Sequence, residues 1–176
     1  MARELDVTRD EAWAALAGDV LETCGRLDAL VNGAGVGWAG NFEEMPIDAW
    51  NAMLAVNLTG VMLGCQHGIR AIRKSGNVGS IINISSIGGI VGGEDTGGYC
   101  ASKGGVTLLT KSVALHCAKY SKGIRCNSIC PGTIETPSML GRAAAAGPHC
   151  SRSAAAAGFW PGAPQLRHIR PALLEK

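Results

Sequence analysis

A serine pair, Ser85-Ser86, is followed after a glycine-rich stretch by Tyr99-Cys100-Ala101-Ser102-Lys103. A tyrosine and a lysine four residues apart lie on one face of a helix. An ammonium held near a phenol favours the phenolate. At ~5 Å and an effective dielectric of ~20 the attraction is roughly 3 kcal/mol. That makes a tyrosine usable as a general acid and base near neutral pH. A serine hydroxyl upstream can hold the oxygen that gains or loses the proton. This is alcohol/carbonyl redox chemistry in outline. Taken alone the pair is weak, because a Y-x-x-x-K arises by chance in roughly one chain in three or four of this length. A tyrosine packed on a helix beside a solvated lysine is the ordinary alternative.

The surroundings change that balance. Four further signals stand in one order: Asn32-Gly33-Ala34-Gly35, Asn57-Leu58-Thr59-Gly60, Ile84-Ser85-Ser86, and Pro131-Gly132-Thr133-Ile134-Glu135-Thr136-Pro137. With Tyr99 and Lys103 between the last two, the chain from about Leu5 to Leu140 resembles the classical short-chain dehydrogenases/reductases. The resemblance implies a Rossmann-like, doubly wound parallel sheet in a three-layer α/β/α arrangement, incomplete at its N-terminus. It also implies NAD or NADP as cofactor and a secondary alcohol or ketone as substrate.

Carried over residue by residue, the resemblance makes Tyr99 the catalytic acid/base. Lys103 binds the nicotinamide ribose and polarises Tyr99. Ser86, thirteen positions before the tyrosine, orients the substrate oxygen, while Ser85 is structural. Asn57 matches a helix asparagine that holds a water in the proton relay; a buried asparagine bonding a nearby backbone group is its other reading. Asp6 and Val7 match an adenine-contacting pair. Asn32, followed by Ala34 and Gly35, lies near the adenine ribose. Pro131, Gly132, Ile134 and Thr136 form the loop beside the nicotinamide. Gly33 stands where the family usually has a second asparagine that ties strands together.

Elements that could position these residues are legible in the chain. Asp28–Asn32 is a short apolar run ending in glycines, which reads as a buried parallel strand. Pro46 opens a helix whose apolar positions recur from Trp50 to Ile69 and which ends near Lys74. Ser80–Ile84 is a second strand, Gly98–Tyr120 a second long helix, and Ile124–Ile129 a third strand stopped by Pro131. Strands alternating with long helices indicate β-α-β crossovers and a parallel sheet. The candidate residues fall at strand C-terminal ends, where open α/β sheets hold their ligands. Gly35-Val-Gly37-Trp-Ala-Gly40 spells a dinucleotide fingerprint, but no helix opens at once and no acidic residue closes the next strand.

The family's phosphate-binding turn and the second-strand residue that selects between NAD and NADP do not occur. Met1 to Thr8 looks like the end of the family's third strand. Strands one and two sit mid-sheet in such folds, so the Asp28–Asn32 strand is expected as an exposed edge, open to pairing with other chains. Residues 1–140 are read as the partial domain and 141–176 as an Ala/Pro-rich, loosely ordered tail.

At 176 residues and 47% hydrophobic, the chain can bury a single core. A net charge of +2 with scattered cations names no nucleic-acid partner. No secretory signal and no membrane-spanning apolar run are read. Seven cysteines without a C-x-x-C pair argue for reduced thiols and a cytoplasmic setting. No metal site is expected, since His67 and His116 lack partners at ligand spacing. The expected partners are the small-molecule substrate and a second copy, or a full-length relative paired through the two long helices.

Overall fold

The computed structural model describes residues 2–132 and Ile134. The chain divides after Gly132 into two compact units, and the first carries every element below. Helix α1 (Asp10–Cys24) precedes strand β1 (Ala29–Asn32). Helix α2 (Ile47–Leu54) runs through one π-helical turn (Ala55–Thr59) into α3 (Gly60–Lys74). Strand β2 (Gly79–Ile84), helix α4 (Gly97–Tyr120) and strand β3 (Ile124–Ile129) follow. The three strands are parallel in the order β1-β2-β3, with Val31 opposite Ile82 and Ile82 opposite Asn127.

Each element has a local cause. Pro46 precedes α2 with φ −65°, and its carbonyl accepts the first helical bond from the Trp50 N–H. Helix α1 carries Asp10 and Glu11 in its first turn, favourable to the helix dipole, and stops at Gly25. Gly25 takes φ +73° and returns its N–H to the Leu21 carbonyl. Helix α3 sets Gly60, Gly64 and Gly68 at four-residue intervals, on one stripe. A Cβ on Gly60 would stand 3.0 Å from Val7, and one on Gly68 2.6 Å from Leu30. At Gly64 it would meet the Asn32 side chain and, at 2.9 Å, the Trp13 ring. The stripe lets α3 lie directly on β1 and on the chain's first residues.

The core is one cluster. Val61, Cys65, Ile69 and Ile72 of α3 meet Val106 and Cys117 of α4 over Ile81, Ile124 and Cys126 of the sheet. Both helices therefore cover the same face. Right-handed crossovers stepping in one direction across a sheet place every connecting helix on one side. On the opposite face Val31 is 57% exposed and Ile129 51%. Among the described residues the doubly wound fold thus shows one of its two helical layers, where three layers in all are expected.

Three further readings of the sequence change. Ala2–Asp6 joins no strand ladder, so the end of a third strand expected there does not form. Leu5 and Val7 instead face β1 across a cleft of about 170 Å³. Helix α1 was not foreseen. The 28-residue helical run Ile47–Lys74 is long and apolar enough to cross a membrane by length and composition, where none is expected; its most apolar 18-residue stretch is 56% buried here, and α3 supplies four residues of the core cluster. Among the described residues β1 pairs with β2 alone, which leaves its other edge unpaired there.

Candidate active site

The last residues of β2 and the first turns of α4 build the site. Ser85 and Ser86 leave β2 in the same step but turn to different work. The Ser85 hydroxyl is buried, donates to the Lys103 carbonyl at 2.9 Å and lies 2.7 Å from Thr107 Oγ1. It staples the loop to α4. Ser86 is half-buried, and its Oγ accepts the Gly88 N–H at 3.1 Å, opening a single 3-10 turn over Ile87–Gly89. A Cβ on Gly88 would stand 3.5 Å from Ser86 Oγ and 3.4 Å from Tyr99 Cε1. The hydroxyl and the phenol ring face one spot.

Tyr99 and Lys103 occupy successive turns of α4. The Lys103 side chain is 4% exposed, and its Nζ donates to the Ile84 carbonyl at 2.8 Å. The same Nζ lies 5.8 Å from the centre of the Tyr99 ring. Burial pushes the Lys103 ammonium below its ordinary value, because the low-dielectric interior disfavours the charged form. Cys100, beside Tyr99, places its sulfur 3.4 Å from Thr96 Oγ1.

Asn57 lies in the π-helical turn and is fully buried. Its Oδ1 accepts the Val36 N–H at 2.8 Å, and its Nδ2 donates to the Val36 carbonyl at 2.8 Å and to Ser102 Oγ at 3.0 Å. A Cβ on Gly35 would stand 3.4 Å from Asn57 Oδ1 and 3.5 Å from Lys103 Nζ. Both are ordinary contact distances, so Asn57 Oδ1 and Lys103 Nζ each lie close to the loop after β1.

Other predicted residues fall in two groups. Val7, Asn32 and Ala34 line the cleft beside β1, with Trp13 and Val61 as further walls. Asn32 turns inward: its Nδ2 donates to Asn83 Oδ1 at 2.8 Å, and its Oδ1 is buried without a partner. The Asp6 carboxylate accepts from the Thr8 hydroxyl at 2.7 Å and the Thr8 N–H at 2.9 Å, which holds it below the usual carboxylate range. Pro131 accepts the Ile87 N–H at 2.8 Å, so the loop after β3 runs beside the loop after β2. Gly132 follows it; Ile134 belongs to the second unit, and Thr136 lies outside the described residues.

The Lys103 ammonium gives one of its three N–H groups to Ile84, and an ammonium of that kind suits a ribose hydroxyl of a nicotinamide dinucleotide. Among the described residues no helix N-terminus follows the glycine run to cradle a pyrophosphate. The Gly35-x-Gly37-x-x-Gly40 run leads into coil and a short 3-10 turn at Phe42–Glu44, not into a helix. The fingerprint it spells is therefore a loop.

Sequence reasoning passed over a buried polar chain. Asn83 on β2 accepts from Asn32, donates to Thr110 Oγ1 at 2.9 Å, and touches the sulfurs of Cys65 and Cys126. Hydrogen bonding with Cys65, then burial, pushes the Cys126 thiol well up, so it keeps its proton. An asparagine inside an isoleucine run was the available signal.

The family model for short chain dehydrogenases matches residues 1–145. The chain is 43% identical over 137 residues to a trans-4-hydroxycyclohexanecarboxylate dehydrogenase of Sinomonas cyclohexanicum, covering 78% of this chain and 51% of that protein. It is 39% identical over 132 residues to an NADP-dependent (R)-specific alcohol dehydrogenase of Lentilactobacillus kefiri, 75% of this chain and 52% of the other. A 3-alpha-(or 20-beta)-hydroxysteroid dehydrogenase of Mycobacterium bovis is 44% identical over 133 residues, 76% and 50% of the two chains. The chain spans about half the length of these curated relatives. With motifs, sheet and match agreeing, the chain belongs to the short chain dehydrogenase family.

Proposed function

We propose that this chain carries the proton-transfer half of an NAD(P)-dependent oxidoreductase that interconverts a secondary alcohol and a ketone. The observation that carries this reading is the shared spot faced by Ser86 Oγ and the Tyr99 ring, with Lys103 braced one turn further on. A bound nicotinamide dinucleotide supplies the hydride acceptor or donor. In the oxidising direction Ser86 would hold the substrate hydroxyl and Tyr99 would take its proton; in the reducing direction Tyr99 would return the proton to the carbonyl oxygen. Lys103 would hold the ribose beside Tyr99, and Asn57 supports the relay from the Val36 side.

Two of the relatives are named for ring alcohols, a hydroxycyclohexanecarboxylate and a hydroxysteroid. The rim here agrees in chemistry: Ile87, Ile90 and Val91 are exposed on the loop before Tyr99. An apolar, alicyclic alcohol is the substrate class proposed. Fluorescence titration of the purified full chain with NADH and NADPH tests the reading. Saturable binding, with turnover lost in Tyr99→Phe, supports it; a folded chain that binds neither cofactor sinks it.

A second reading is a non-catalytic subunit that pairs with an intact relative. The free edge of β1 and the open sheet face favour it, as do the exposed Leu108 and Leu115 on α4. Co-purification with a full-length dehydrogenase supports this reading, and a strictly self-associated species counts against it.

A further inference from the structure

We infer that Ser102 is a positioning residue for Tyr99, joining the phenol's helical turn to Asn57 and through it to the loop after β1. This rests on the reading of Tyr99 as the proton-exchanging group. Ser102 is fully buried on α4. Its Oγ donates to the Tyr99 carbonyl at 2.8 Å and accepts from Asn57 Nδ2 at 3.0 Å. A serine bonded back to a carbonyl one turn earlier is commonplace in helices and means little by itself. The second bond changes its meaning, because it comes from a different element.

Asn57 is in turn gripped at both polar atoms by the backbone of Val36. It stands on the π-helical turn Ala55–Thr59 within an otherwise α-helical run. Such single turns insert one residue and re-aim a side chain, and they recur at functional sites. The chain Val36–Asn57–Ser102–Tyr99 therefore ties two other pieces, the loop after β1 and the π-helical turn, to the backbone of the proposed acid/base. Every donor and acceptor in it is used once its ends are counted, so removing the middle hydroxyl leaves an Asn57 N–H buried without that partner.

The neighbouring turn lacks the usual means of fixing itself. Thr96 precedes α4 without a side-chain cap; its hydroxyl goes to the Gly93 carbonyl and meets Cys100 Sγ. Gly97 and Gly98 then open the helix with no side chains of their own. Ser102 is the hydroxyl that holds this turn from the inside.

The test uses the full chain with 13C-labelled tyrosine, whose two residues, Tyr99 and Tyr120, are told apart by Tyr120→Phe. Ser102→Ala is expected to displace the Tyr99 ring signal and to speed hydrogen exchange at the Val36 amide, which it does not touch. Asn57→Ala is expected to displace the Tyr99 signal in the same sense, and the double variant to go no further. Where the parent turns over, Ser102→Ala lowers kcat by about tenfold with KM unchanged. Simple addition of the two displacements, or an unchanged Val36 exchange rate in Ser102→Ala, overturns the inference. The exchange result decides by itself should Asn57→Ala not fold. Neither spectroscopic readout needs cofactor or turnover, so the inference can fail while the oxidoreductase reading stands, and the converse.

Discussion

Lys103 Nζ donates to the carbonyl of Ile84 at 2.8 Å, which ties the second turn of α4 to the last residue of β2. The bond orients an ammonium whose pKa burial lowers from its ordinary value. It also explains why the spacing of Tyr99 and Lys103 alone is poor testimony. A solvated lysine at that position could swing anywhere, whereas this one is held beneath the phenol by the strand that delivers Ser86.

The buried ammonium makes a pH prediction. Folding lowers the pKa of Lys103 below its ordinary 10.5, so between the lowered value and 10.5 the unfolded chain binds more protons. Stability therefore rises with pH across that window as far as this group is concerned. Lys103→Met removes the term. The difference in urea-unfolding free energy between the two proteins, followed from pH 8 to about 10.5, should shift in favour of the parent as pH rises. A flat difference would mean that Lys103 is not buried in its charged form. Working with the difference cancels the raised Cys117 and Cys126 thiols, which act in the opposite sense in both proteins.

The adjacent serines separate chemistry from architecture. Ser85→Ala should cost about 1 kcal/mol of stability, because it removes a buried hydroxyl that bonds the α4 backbone. Ser86→Ala should leave the melting temperature nearly unchanged, since its one bond closes a half-exposed turn. It should nevertheless lower turnover by about 10²-fold or more. Equal losses of activity in the two variants, at equal stability, would contradict the division.

Gly64 is the tightest point of the α3 stripe. An alanine there would drive its methyl into the Asn32 side chain and the Trp13 ring. Overpacking of this kind costs about 1–3 kcal/mol. Gly64→Ala should lower the urea midpoint accordingly, and Gly18→Ala on α1, where a Cβ meets nothing within 4 Å, should not. Comparable losses at both positions would count against close approach as the cause, because helix propensity favours alanine over glycine at either site.

What was legible in the chain, and what was not, follows from how local each signal is. The strands were readable to within a residue because isoleucine- and valine-rich runs bounded by glycines describe their own burial. Pro46 marked the start of α2 for a similarly local reason. Helix α1 escaped because it packs on α3 and buries little beyond Trp13, so it carries a weak apolar stripe. The π-helical turn at Asn57 depends on a backbone partner 21 positions away, and no local pattern encodes that. The inward turn of Asn32 depends on Asn83, 51 positions away. Residue types could place both asparagines near the site but could not say which way they face. The glycines at 60, 64 and 68 were readable as a spacing and were passed over.

Val31 tests what the open face and free edge do. It sits on β1, which among the described residues bonds a neighbour on one side only, and more than half of its surface is exposed. Parallel sheets are ordinarily covered on both faces, and a bare apolar edge strand is a template for association. A charge at that position is the usual protection. Val31→Lys should therefore reduce concentration-dependent self-association in sedimentation velocity while changing unfolding free energy by less than about 0.5 kcal/mol, as for other exposed substitutions. Unchanged association would shift attention to α4, where Leu115→Glu offers the matching test on an exposed helix position. A large loss of stability in Val31→Lys would instead show that this face is covered in solution, and the edge would no longer explain any pairing with a relative.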